Sequence, residues 1–249
     1  MAIIVYLMEE NMKALIDVHT HTIVSGHAYS TVKENIEDAI KNGVKYLGLS
    51  EHAPSMPGGP HPFYFSNIKC IPSEVNGLKI LRGIELNILD FDGKTDGEDE
   101  DMMRHIDYAI ASLHPPCIEA GTKEQNTNAI LKVMDNDKVK IIGHLDDSRY
   151  EVDYEAVVKK AKEKNILLEV NNSSLKTTTF RLGAKENYIT MLELCKKYNT
   201  RVILGSDAHI SFDIGKFPFA QKLMEEIDFP KELVINYNED QIVEFFNIK

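Results

Sequence analysis

Seven histidines, one glutamate and one aspartate recur just past the ends of apolar, strand-like runs. His19, His21 and His27 come after ALIDV, His52 after YLGLS, Glu85 after ILRGI and His114 after YAIAS. His144 comes after KIIG, and Asp207 and His209 after RVILGS. Side chains two apart on a strand share a face, so His19 and His21 can grip one ion, and Asp207 with His209 repeats that spacing. One ion takes about four ligands, so nine such residues point to a multinuclear metal site and to hydrolytic chemistry. Imidazoles with two carboxylates favour zinc, manganese or iron over magnesium or calcium, and zinc is the expected metal. A lone HxH carries little, because a polar residue at a strand end is often a cap or a satisfied hydrogen-bonding group. The repetition along the chain is what distinguishes this set. His61 and His105 lack the setting, the first in a Pro/Gly-rich loop and the second on an expected helix.

Ligands at strand ends need parallel strands whose C-terminal ends converge, which is how α/β barrels build their sites. Strand signals fall at 14–19, 45–51, 78–85, 107–113, 139–143, 166–171 and 201–205, with a short one at 234–237. Amphipathic segments lie between them and imply parallel βαβ units. Thr31 and Glu34 have capping-box spacing ahead of one helix, and Gly43 suits its end. Asp153 can cap a helix with Tyr154, Val157, Val158 and Ala161 on one face, and Thr122 can cap the helix carrying Ile130, Val133 and Met134. Residues 53–77 hold five prolines and three glycines without helical period and read as an irregular lid. The acidic stretch 91–101 lacks EF-hand spacing and reads as a solvated turn. The expected architecture is an α/β barrel slightly short of eight units, forming one domain over 12–249, with 1–11 as an N-terminal extension.

The 249 residues fit one such barrel. A net charge of −11 argues against a general nucleic-acid surface. Local field decides what a pocket attracts, and three divalent ions against two carboxylates would leave this centre positive. The apolar stretch near the start is far shorter than the ~20 residues that span a bilayer, and no secretory leader is apparent. Three widely spaced cysteines form no CxxC pair, so a reduced, cytoplasmic setting is expected. No cysteine sits in a phosphatase cradle and no G-x-S-x-G turn appears, so neither thiol nor serine is the expected nucleophile.

DVHTHT, the later His27, SEH, GIELN, SLH, GH and SDAH together resemble the successive motifs of the PHP (polymerase and histidinol phosphatase) superfamily. The resemblance runs from about Lys13 to the C-terminus, and EHAPSMPGGPHPFYFSN with EVNNSS is similar to the YcdX-type bacterial phosphatase branch. LDDSRY after GH departs from the proline and glycine usual in that branch. The resemblance implies a distorted (βα)7, TIM-barrel-like fold with the metal site at the C-terminal strand ends. It implies three ions: one held by His19, His21, Glu85 and Asp207, a second by His114 and His144 with Glu85 bridging, and a third by His27, His52 and His209.

The implied reaction is phosphomonoester hydrolysis, with metal-activated water attacking phosphorus in line. Glu85, Asp207 and His209 form the candidate catalytic set, with Asp207 or a site histidine able to protonate the leaving alkoxide. Arg149, Lys176 and Arg181 follow strand ends where they can reach a phosphate, and Asn171 is a candidate substrate contact. The expected partner is a small phosphorylated molecule, with no membrane association and an open oligomeric state. Histidinol phosphatase, a metal-dependent phosphodiesterase or nuclease, and a non-catalytic metal-binding module are the alternatives.

Overall fold

Short apolar strands alternating with capped amphipathic helices close most of a barrel in the computed structural model, which describes residues 13–248. The extension expected at 1–11 lies outside the described residues. The strands are β1 (Ile16–Asp17), β2 (Tyr46–Leu49), β3 (Glu74–Val75), β4 (Leu78–Asn87), β5 (Tyr108–Ser112), β6 (Val139–Ile142), β7 (Leu167–Asn171) and β8 (Val202–Gly205). Their order is β1-β2-β4-β5-β6-β7-β8, every pair parallel, with β3 added antiparallel to β4. The seven-stranded parallel path matches the expected (βα)7 count.

The expected helix ends are present. Helix α1 (Val32–Asn42) has a reciprocal capping box between Thr31 and Glu34 and ends on Gly43 at φ 70°. Thr122 caps Lys123–Val133, and Asp153 caps Tyr154–Lys164. The apolar faces of the last two pack in the main core, which includes Ile84, Leu86, Ile130, Val157, Val158 and Leu192, while Ala39 of α1 packs in a separate cluster with Leu47, Leu49 and Ile80.

The inward face is layered. Tyr108, Ile110, Ile141, Leu167 and Ile203 form an apolar floor with Ile242 and Phe245 of the last helix, Glu239–Phe246. Gly48 on β2 and Gly83 on β4 make room for Tyr108, since a Cβ there would lie 2.1 and 2.3 Å from its side chain. Above this floor the inward residues turn polar, with Glu85, Ser112, Glu169 and Asn171 all buried.

Two expectations need correction. Residues 234–237 make one isolated bridge, Val202 to Val234, and then a 3-10 turn (Ile235–Tyr237), not a strand. The reason is Asn236, whose buried side chain does the work of a strand at the β1/β8 seam. Its Nδ2 donates to Ile16 O and Leu204 O at 3.0 Å each, and its Oδ1 accepts from Leu204 N at 2.7 Å. The lid is also less irregular than its composition suggests: it holds a helical turn (Pro62–Ser66), a 3-10 turn (Ile68–Cys70) and β3. Proline at the first helical position tolerates its missing N–H there, and His61 caps the turn through its own ring.

Candidate metal centre

Glu85, fully buried on β4, stands among five imidazoles. Its Oε1 lies 3.0 Å from His144 Nε2, 3.1 Å from His114 Nε2 and 3.4 Å from His19 Nε2. Its Oε2 lies 2.7 Å from His52 Nδ1 and 3.6 Å from His21 Nε2. Ser112 Oγ donates to Oε1 at 2.7 Å and fixes the carboxylate. Asp207 faces it from beyond β8, with Oδ1 3.4 Å from His21 Nε2 and 3.6 Å from His19 Nε2. The His27 ring centroid lies 4.9 Å from that of His52 and 4.8 Å from that of His209. The fold therefore brings all nine sequence-predicted ligand residues into one cluster, drawn from positions 19 to 209.

Two of these residues sit in backbone that side chains rarely adopt. Asp207 has φ 52° and His144 φ 21°. Such conformations cost roughly 1–3 kcal/mol each and persist where the surroundings fix them. At His144 the fixing bond is visible, its N–H donating to Glu169 Oε2 at 2.8 Å.

Four histidines have one ring nitrogen tied to an acceptor, which fixes the tautomer and presents Nε2 to the cluster. His19 Nδ1 donates to Glu169 Oε1 at 2.6 Å. His114 Nδ1 donates to Asn87 Oδ1 at 2.7 Å, while Asn87 Nδ2 is spent on Asp96 Oδ2 and Ala53 O. His21 Nδ1 reaches Ser25 Oγ at 3.3 Å; the Ser25 hydroxyl itself donates to Glu51 Oε2, so its oxygen accepts. His209 Nδ1 donates to the Asp207 carbonyl at 3.0 Å.

The inward-facing atoms are then left without hydrogen-bond partners: Nε2 of His19, His21 and His114, both ring nitrogens of His52, and Glu85 Oε2. Buried polar atoms are ordinarily paired, and so many orphans aimed at one volume fit metal ions. Ligand atoms group closely enough for an ion in four overlapping sets: His21, His52 and His209; His19, His21 and Asp207; His19, Glu85 and His144; His52, Glu85 and His114. His27 falls outside these sets.

The electrostatics agree with a cation site. Burial holds the His21 imidazole well below its usual range, reinforced by His52, and burial takes His114 down to about 4. Burial would raise Glu85, yet His114, His19 and His52 hold it well below the usual carboxylate range. Burial likewise opposes ionisation of Asp207, but His19, His21, His209 and Arg181 outweigh it. Burial also disfavours charge on His19, but Glu169, Glu85 and Asp207 together raise it well above the ordinary histidine value. Three carboxylates therefore demand positive charge at this point, whether from a proton or a metal ion.

Above the cluster opens a cavity of about 680 Å³ whose lining includes His27, His52, His114, His144, Asp207 and His209. Arg149, Lys176 and Arg181 all line it as well. Arg181 is nearly buried, with NH1 2.7 Å from Ser174 Oγ and 3.5 Å from Asp207 Oδ2. Arg149 forks onto Asp147, and Lys176 Nζ lies 2.8 Å from Asp213 Oδ2. Asn171 does not line the cavity. It is fully buried beneath Asp207, with Nδ2 donating to Asp207 Oδ2 at 3.1 Å and Glu169 Oε2 at 3.2 Å, so it positions a carboxylate. His61 is exposed at its helix cap and His105 sits in a turn; neither joins the cavity. Cys117 leans on Ser55 O at 3.5 Å, its thiol pushed up to about 11 by burial, which suits packing and not nucleophilic attack.

The carboxylates behind the histidines, Glu169, Glu51 and Asp96, escaped the sequence reading. Glu169 could have been found as a charge inside the apolar run LLEVN. Gly205 accommodates it, since a Cβ there would lie 1.9 Å from Glu169 Oε1. Glu51 precedes His52 and accepts from Thr22 N, Thr22 Oγ1 and Ser25 Oγ. Asp96 belongs to the stretch read as a solvated turn. Its carboxylate instead accepts from Asn87 N and Ser55 N at 3.0 Å each, pinning the lid root to the residue that orients His114.

Comparison with known proteins agrees with this geometry. The PHP domain matches residues 17–243. A probable phosphatase of Clostridium acetobutylicum is 50% identical over 238 residues, covering 96% of both chains. A probable phosphatase of Caldanaerobacter subterraneus is 41% identical over 239 residues, covering 96% of this chain and 93% of its own. Among solved structures, a histidinol phosphate phosphatase of Lactococcus lactis, complexed with zinc, L-histidinol and phosphate, aligns with a TM-score of 0.61. It covers 88% of this chain and 95% of that one at 21% identity, a likeness of fold.

Proposed function

Since the chain belongs to the PHP-domain family, we propose that it is a metal-dependent phosphomonoesterase, with residues 12–249 as a single catalytic domain. The observation that carries this reading is the convergence of unpartnered buried ligand atoms on Glu85, at the floor of an open cavity. His19, His21, His27, His52, Glu85, His114, His144, Asp207 and His209 would hold three divalent ions, zinc in our assignment, with Glu85 bridging. When bound, such ions supply water of lowered pKa and a clamp for phosphoryl oxygens.

The chain's own residues do the rest. Arg181, tethered by Ser174 and Asp207, offers a guanidinium to phosphoryl oxygens at the inner end of the cavity. Asp207 is held as a carboxylate by its cationic neighbours, which suits it to ligation and not to proton donation. Glu169, Asn87 and Ser25 hold the imidazoles in the ligating tautomer. Arg149 and Lys176 stand farther out, where they bear on substrate entry. The named activity of the 41–50% identical relatives supports the same reaction class. No helix among the described residues is long and apolar enough to cross a membrane, and the three cysteines are free, as suits a reducing cytoplasm.

The test is elemental analysis of untagged protein alongside p-nitrophenyl phosphate turnover before and after chelation. Near three ions per chain, with turnover lost on chelation and restored by zinc or manganese, is the expected result. Stoichiometric metal without turnover on any phosphomonoester would sink the phosphatase reading, and absence of metal would sink the centre itself.

A further inference from the structure

The cavity over the metal centre is divided by chemistry. Its inner end is polar, formed by imidazoles, Asp207 and Arg181. Its outer wall carries an apolar patch, with Met56, Pro116, Phe180 and Ile210 beside the uncharged hydroxyls of Thr178 and Thr179. Phe180 is 66% exposed and Ile210 36%, although both stand at the rim of a buried centre. At about 680 Å³ the space exceeds what a phosphoryl group alone would fill, so the outer half must receive the alcohol part of the substrate.

The charges of that outer half are already matched. Lys176 is 2.8 Å from Asp213, and Arg149 is forked onto Asp147. Arg149 and Arg181 also each lie with the guanidinium carbon 5.3 Å from the Phe180 ring centroid, which steadies the aromatic side chain at the rim. An ammonium group or a second phosphate on the substrate would have to break one of these pairs. A neutral, apolar group would break none and would cover exposed hydrophobic surface.

We infer that the leaving group of the substrate is a bulky, uncharged and largely apolar alcohol, seated against Phe180, Met56 and Pro116. The inference rests on the phosphomonoesterase reading and specifies its substrate class. It sets this chain apart from an enzyme that must hold an amino alcohol, since neither Asp213 nor Asp147 is left to bind an ammonium group.

The experiment compares three phosphates of primary alcohols, so that leaving-group chemistry is nearly constant: 2-phenylethyl phosphate, glycerol 1-phosphate and 2-aminoethyl phosphate. With the metal-loaded enzyme, kcat/KM for 2-phenylethyl phosphate is expected to exceed the other two by roughly 10- to 100-fold, the worth of burying one aromatic side-chain equivalent. Phe180→Ala should shrink that ratio at least several-fold, chiefly by raising KM for 2-phenylethyl phosphate. Circular dichroism and metal content of the variant guard against misfolding. Equal kcat/KM across the three, or preference for 2-aminoethyl phosphate, overturns the inference and leaves the phosphatase reading standing. Failure to cleave any of them, with p-nitrophenyl phosphate also untouched, overturns both.

Discussion

The inner cluster and the outer cavity wall are built on opposite principles. In the cluster nearly every polar atom on the outer side of a ligand is engaged: Glu169 on His19 and His144, Asn87 on His114, and Ser25 on His21. Glu169 and Asn87 sit on strands and Ser25 in the 3-10 turn Ile23–Ser25, all three buried, so the arrangement is fixed by folding. The outer wall comes from loops, among them the lid, the 173–182 segment and the residues after β5, its charges are paired with aspartates, and Phe180 is exposed. A rigid inner end with a loop-built outer end is the division expected where chemistry must be constant and substrate choice adaptable.

Four substitutions probe this contrast, beginning at its centre. Glu85→Gln removes the charge shared by five imidazoles and should lower turnover by roughly 100- to 1,000-fold, with loss of bound metal seen by elemental analysis. Full activity with a full metal complement would remove Glu85 from its bridging role. Glu169→Gln touches no cavity surface, yet it should weaken metal binding by roughly 10- to 100-fold in competition with a chelator, because His19 loses its carboxylate partner. If binding is unchanged, the inner end is less dependent on its outer layer than the hydrogen bonds suggest.

Asp96→Asn should have a smaller effect, about 10-fold on metal retention at most, acting through Asn87 on His114. Its sharper signature is faster proteolysis of the lid, since Ser55 N loses its anchor. Lys176→Ala, at the outer end, should leave metal content unaltered and change KM by about 2- to 5-fold, because its charge is already matched by Asp213 and partly exposed. A large fall in kcat from Lys176→Ala would erase the distinction between the two ends.

Much of the fold was legible because its signals are local. Thr31 with Glu34, Thr122 and Asp153 cap helices as their spacing indicates. The strand runs were located to within a few residues, although β1 pairs regularly only at Ile16–Asp17. What local signals missed was set by long-range contact. Residues 234–237 have strand-like composition, but the polar side chain of Asn236 reaches both Ile16 and Leu204 and replaces a strand ladder with its own amide. Asp96 looks like any acid in a solvated turn until the fold carries it against Asn87 and Ser55. Asn171, expected at the substrate, is drawn down instead to Asp207 and Glu169.

By itself the sequence determined the barrel class and marked the nine residues that the fold gathers into one cluster, because a period of strand and helix and the recurrence of histidine past strand ends are written in order along the chain. Only the tertiary structure decided which nitrogen His19, His21, His114 and His209 present and which carboxylates stand behind them. It also decided that the cations near the cavity are mutually paired with aspartates. These are matters of distance and angle between residues as far apart as His19 and Glu169, set when the strands converge and not by any spacing along the chain.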